Sequence, residues 1–154
     1  MNVEALDADR LDRLGQRIDE WLASLADTYD HIAAVGRIDD AGRRWFVRML
    51  GEEKDFTTAW LTLGQRTLRF ETYVMPAPEE NEETLYAQLL RRNDHLVGAH
   101  FSIGAEDAIF LRGEVPAAAV DLDELDHILG TLYAQVEQCF RALLSSGFAS
   151  RLRD

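Results

Sequence analysis

A single cysteine, Cys139, leaves the chain without a disulfide framework or a C-x-x-C pair. No apolar run comes near the ~18 residues that a membrane-spanning helix needs. The first residues, MNVEALDADRLDR, carry acid where a secretory leader carries base, and no apolar segment follows them. These absences point to a reducing, cytoplasmic setting and away from a membrane. Basic charge is scarce as well: 16 lysines and arginines stand against 28 acidic residues, for a net charge of −12. Such a field repels phosphate backbones, and the pairs Arg43–Arg44 and Arg91–Arg92 lie near acidic residues, as solvated strand or helix ends do. No nucleic-acid partner is expected.

Motifs that carry chemistry are missing too. His31, His95, His100 and His127 form no H-x-H or H-x-x-x-H pair, so no metal site is expected. No serine lies in G-x-S-x-G, and the glycines build neither G-x-G-x-x-G nor G-x-x-x-x-G-K-[ST]. Cys139, beside Phe140 in an apolar helical pattern, reads as a small buried filler. Glu79, Glu80, Glu82 and Glu83 crowd together, but no regular spacing brings them around one ion, and a helix start accounts for them. Asp107 ends a hairpin loop, a common place for aspartate. No catalytic or cofactor-binding residue can be assigned, no cofactor is implied, and the protein is expected not to be an enzyme.

What remains is the pattern of one acidic α+β domain over residues 1–154, with 47% apolar and 29% charged residues. Leu11, Leu14, Ile18, Leu22 and Leu25 recur at helical spacing, with charge on the other side. HIAAVGRI is a candidate short strand with Asp39-Asp40-Ala41-Gly42 as its turn, and RRWFVRML reads as a strand. In WLTLGQRTLRFETYV, Gly64-Gln65 suits a two-residue turn of type II′. That turn sets Leu61 opposite Leu68, Ala59 opposite Phe70 and, on the reverse face, Trp60 opposite Arg69 and Thr58 opposite Glu71. One face is then core and the other mixed polar and aromatic, the pattern of an antiparallel sheet with an open side.

Pro76 and Pro78 stop the strand. Asn81 is a candidate N-cap for a helix running to about Arg92, whose arginines sit at the negative end of the dipole. LVGAHFSI and AIFLRGEV pair around Gly104–Asp107. A last helix starts at Asp121, with Glu124 completing an acidic capping-box spacing and Val120 and Leu125 as its staple. Leu125, Ile128, Leu129, Leu132, Val136, Phe140 and Leu143 form its apolar face, and Ser146-Gly147 ends it. The expected order is α-β-β-β-α-β-β-α, with an antiparallel sheet of about five strands.

The words GEEKDFTTAWLTLGQRTLRFETYVMPAPEEN, YAQLLRRN and IGAEDAIFLRGEVP, spanning roughly residues 43 to 151, resemble the actinobacterial branch of the YbjN family, described as bacterial sensory-transduction regulators. The resemblance implies the fold of type III secretion chaperones, which has the same order of elements. Proteins of that fold are small, acidic and commonly dimeric, and hold extended partner segments on apolar patches. The resemblance supplies no catalytic or binding residue to carry over.

The expected function is therefore a non-enzymatic protein-binding domain, regulatory or chaperone-like, taking a partner segment on its open sheet face or edge. Trp60, Arg69, Glu71 and Tyr73 are the candidate contact residues, since aromatics and arginine dominate interface energies. A homodimer is expected from the fold resemblance and the exposed strand edges. The alternative is a small-molecule sensor or an uncharacterised enzyme with a cleft between sheet and helices. A third reading makes the aromatic face a dimer interface.

Overall fold

A computed structural model describes residues 3–39 and 42–152. The elements follow in the order α1 (Ala8–Thr28), β1 (Ile32–Asp39), β2 (Arg44–Leu50), β3 (Phe56–Leu63), β4 (Thr67–Met75), α2 (Glu82–Asn93), β5 (His100–Ile103), β6 (Ile109–Pro116) and α3 (Leu122–Gly147). The strands form one antiparallel sheet in the order β1-β2-β3-β4-β6-β5. The sheet has six strands rather than about five. The difference is β1, whose alanines and glycine give weak β-propensity and whose place at the edge leaves little alternation to see. Of its predicted turn, Asp40 and Ala41 lie outside the described residues.

The helices begin where side chains satisfy their free N–H groups. The Asp7 carboxylate accepts from the Arg10 N–H at 2.9 Å, and Asp121 accepts from the Glu124 N–H at 2.8 Å. Helix α2 departs from expectation. Asn81 sits at its N-cap in the left-handed region, φ 58°, and donates its amide to the Ser146 carbonyl at 2.8 Å instead of capping. It therefore ties the start of α2 to the end of α3. Leu11, Leu14, Ile18, Leu22 and Leu25 are buried as the spacing predicts, and Trp21 joins them.

Strand alternation fixes the core. Trp45, Val47, Met49, Ala59, Leu61, Leu63, Leu68, Phe70, Val74, Ile109 and Leu111 are all buried inward positions. They pack with α1 and α3 in one continuous hydrophobic cluster. Thr72 is buried among them because its hydroxyl donates to the Thr58 carbonyl at 2.7 Å.

The hairpin register differs from the predicted one. Leu63 faces Leu68, so Gly64, Gln65 and Arg66 form a longer loop closed by Gly64 N–H to the Thr67 carbonyl at 2.9 Å. Trp60 then faces Glu71, and Arg69 faces Thr62. A slip of two residues changes every partner and preserves both faces, because side chains alternate with period two. The second strand pair is also shorter than expected, since Leu96–Ala99 is not strand and β5 has only 4 residues.

Candidate functional site

Two places in the fold have the shape for recognition: the sheet face that the core leaves open, and a groove between α1 and the start of α3.

On the open face the register lines residues into rows across the strands. The central row runs Gly36, Phe46, Trp60, Glu71, Arg112 and His100. Gly36 matters there, because a Cβ would stand 2.9 Å from the Phe46 ring. Its absence lets Phe46 lie over β1 and lean on Trp60, with ring centroids 5.8 Å apart. Beside this row come Arg44, Thr62, Arg69 and Glu114. On the other side lie Arg48 opposite Thr58, and Tyr73 opposite Phe110.

Guanidinium groups stack on the rings. Arg44 lies 5.0 Å from the Trp60 centroid, Arg48 3.9 Å from Phe56 and Arg112 4.5 Å from Phe110. Each such contact contributes about 0.5–1 kcal/mol at an exposed site. Arg44 and Arg69 both stand opposite Thr62, diagonal to Trp60, and it is Arg44 that lies over the indole. Arg112 also pairs with Glu71 at 3.2 Å. Arg44, Arg48 and Arg69 have no carboxylate partner among the described residues.

All four residues singled out from the sequence reach this face. Trp60 and Glu71 are half-buried neighbours in the central row, Arg69 is exposed beside them, and Tyr73 is 41% exposed against Phe110. Sequence reasoning missed Arg44, Phe46, Arg48, Phe110 and Arg112. The alternation in RWFVRM and IFLRGE carries that signal, once Trp45 rather than Phe46 is known to point inward.

At one end of the face, Lys54 reaches back from the β2–β3 turn. Its ammonium donates to the Tyr73 carbonyl at 2.7 Å and lies over the rings of Tyr73 and Phe140. Burial lowers its pKa from 10.5 to about 8. The turn is held from behind by Glu137 of α3, whose carboxylate accepts from the Glu52 and Glu53 N–H groups at 3.2 and 2.8 Å. The depressed lysine has a consequence for stability. Below pH about 8 both states hold the proton and the burial cost is constant; between about 8 and 10.5 the unfolded chain binds more protons. Stability contributed by Lys54 therefore rises through that window. Urea midpoints of the protein and of Lys54→Met, compared at either end of the window, should show the rise in the parent and its loss in the variant. Cys139, pushed up to about 11, and Tyr73, Tyr86 and Tyr133, all raised chiefly by burial, act in the opposite direction from about pH 9 upward and are present in both proteins, so the difference between the two curves carries the Lys54 contribution.

The groove between α1 and α3 encloses about 650 Å³ and is floored by Leu14, Trp21, Leu25, Val120 and Leu125. Glu20, Asp121, Asp123 and Asp126 bring acid to it, and Trp21 Nε1 donates to Asp126 Oδ1 at 2.8 Å. Cys139 contributes to neither site. It is fully buried, and burial pushes its thiol up to about 11, so it lacks thiolate character.

Helices packed on one side of a largely open antiparallel sheet, in this order, make the fold of type III secretion chaperones. The chain is similar to a chain in the ExsC–ExsE complex, with TM-score 0.59 and 21% identity over 84% of this chain and 96% of that one. It is also similar to a chain in the HopA1–SchA chaperone–effector complex, with TM-score 0.59 and 14% identity over 89% and 98%. A third is in the heterodimeric ExoU–SpcU complex of the Pseudomonas aeruginosa type III secretion system, with TM-score 0.55 and 16% identity over 82% and 96%. The chain itself belongs to the YbjN family, "Putative bacterial sensory transduction regulator", whose model matches residues 15–145.

Among relatives, an uncharacterized protein of Mycobacterium tuberculosis is 37% identical over 107 residues, 70% of this chain and 58% of that protein. One of Mycobacterium leprae is 34% identical over 126 residues, 82% of this chain and 67% of that protein. The chain thus spans well under the full length of the Mycobacterium tuberculosis relative. Among the described residues, no helix is long and apolar enough to cross a membrane.

Proposed function

We propose that this chain is a non-enzymatic protein-binding domain with a regulatory or chaperone-like role, holding a segment of a partner protein on its open sheet face. The observation that carries the reading is the concentration of Phe46, Trp60, Tyr73 and Phe110, with stacked arginines, on the face that the core does not use. Rings stacked on rings and guanidinium groups are held in place before a partner arrives, which lowers the ordering cost of binding. The solved structures of similar fold include a chaperone–effector complex, which agrees with this role. A homodimer in the cytoplasm, joined through one sheet edge paired with its own copy, is the proposed working form.

Trp60→Ala, Arg69→Ala and Tyr73→Ala, scored for melting and for capture of native partners, test the reading. Lost capture with near-parental melting is expected of a binding face. Lost stability with unchanged capture would reduce the face to scaffold. The groove between α1 and α3 supports a second reading, a small-molecule sensor, because its apolar floor and convergent carboxylates are what a ligand cleft needs. A metabolite that raises the melting temperature with increasing concentration would favour it.

A further inference from the structure

The charge on the open face is opposite to that of the molecule. The chain has 28 acidic and 16 basic residues, so an average patch is negative. Outward positions of β2, β3, β4 and β6 instead carry Arg44, Arg48, Arg69 and Arg112 against Glu71 and Glu114, and the edge strand β1 adds Asp39, opposite Arg44 in the register. Both glutamates are engaged within the sheet: Glu71 pairs with Arg112 at 3.2 Å, and Glu114 accepts from the Thr67 hydroxyl at 3.2 Å. Arg44, Arg48 and Arg69 are exposed and without a carboxylate among the described residues. Arg44 and Arg48, four residues apart on one strand, stand about 13 Å from each other. Arg69 lies two strands from Arg44, roughly 10 Å away. Phe46 stands between Arg44 and Arg48, and Thr62, next to Trp60 on its face, stands between Arg44 and Arg69.

We propose that the segment received by this face is acidic: a stretch of partner protein in which carboxylates alternate with apolar side chains. This rests on the protein-binding reading and specifies its chemistry. Carboxylates meet Arg44, Arg48 and Arg69 while apolar side chains pack on Phe46, Trp60 and Tyr73. The acidic remainder of the molecule repels the same segment elsewhere, so charge selects the face as well as the partner. A nucleic acid is disfavoured, because evenly spaced phosphates would run past the three arginines onto Glu71, Glu114 and the acidic surroundings.

The test uses fluorescent peptides of equal length in which apolar residues alternate with Glu, Ser or Lys, and an oligo-dT of matching length. Anisotropy is read against the full chain, Arg44→Glu/Arg69→Glu and Arg44→Gln/Arg69→Gln, with melting checked for each. The Glu peptide should bind most tightly and weaken with added salt. It should lose about tenfold or more in the charge-reversed double variant, with the neutral variant in between, since one tenfold step is ~1.4 kcal/mol. If the Ser or Lys peptide binds as tightly and Trp60→Ala still abolishes binding, the acidic preference falls and the binding face stands. If no peptide binds, or none is affected by Trp60→Ala, both fall. Tighter binding of oligo-dT than of the Glu peptide would overturn the proposal in favour of single-stranded nucleic acid.

Discussion

Trp45→Ala should lower the free energy of unfolding by about 3–5 kcal/mol, the range for truncating a large buried aromatic. The indole is fully buried between β2 and α1. Its ring edge lies 3.5 Å from where a Cβ on Gly15 would be, its Nε1 donates to Asp19 Oδ1 at 2.7 Å, and the Arg37 guanidinium lies 4.8 Å from its centroid. One side chain therefore joins the first helix to the sheet by packing, a hydrogen bond and a cation contact. Trp45→Phe separates these contributions: it keeps most of the apolar volume and should cost less than half as much. Urea denaturation of the two variants checks this, and equal losses would mean that packing against α1 is not what Trp45 supplies.

Leu132→Asp should have the larger effect, enough to leave little native protein. Leu132 is fully inaccessible, on the face of α3 that also carries Leu125, Leu129 and Val136. A carboxylate there must be buried without a partner or must pull the helix from the sheet, and natural domains hold only about 5–15 kcal/mol in reserve. Circular dichroism should show lost cooperativity of melting. Leu122→Asp is the control: its side chain is 56% exposed at the start of the same helix, where acid suits the dipole, and it should melt like the parent. A Leu132→Asp variant that melts like the parent would place α3 elsewhere.

How much of this was readable in advance depended on the strength of local signals. Helices α1 and α3 were legible because each has a long apolar stripe, and α3 also has the Asp121 capping spacing. The two faces of β3 and β4 were legible from alternation alone, and so Trp60, Arg69, Glu71 and Tyr73 were placed together correctly. Their pairing was not legible. Gly64-Gln65 suits a two-residue turn, but the longer loop lets Leu63 and Leu68 face each other, both buried, and keeps Arg66 out of the ladder. Core packing overrode turn preference. Strand β2 carries the same signal: Trp45, Val47 and Met49 alternate with Arg44, Phe46 and Arg48, which sends Phe46 outward with the arginines, while Gly15 and Asp19 of α1 receive the Trp45 indole. The open face looked smaller in the sequence than it is.

The chain's tryptophans provide the most direct measurement of where a partner docks. Trp60 lies on the open face, Trp21 lines the groove between α1 and α3, and Trp45 is sealed in the core. The indole N–H groups of Trp21 and Trp45 are already bonded to Asp126 and Asp19. Each indole resonance of the ¹⁵N-labelled protein thus reports a different region. Titration with a partner recovered by capture should shift the Trp60 indole and leave those of Trp21 and Trp45 in place. A shift of the Trp21 indole with Trp60 unmoved would assign binding to the helical groove and contradict the sheet-face account.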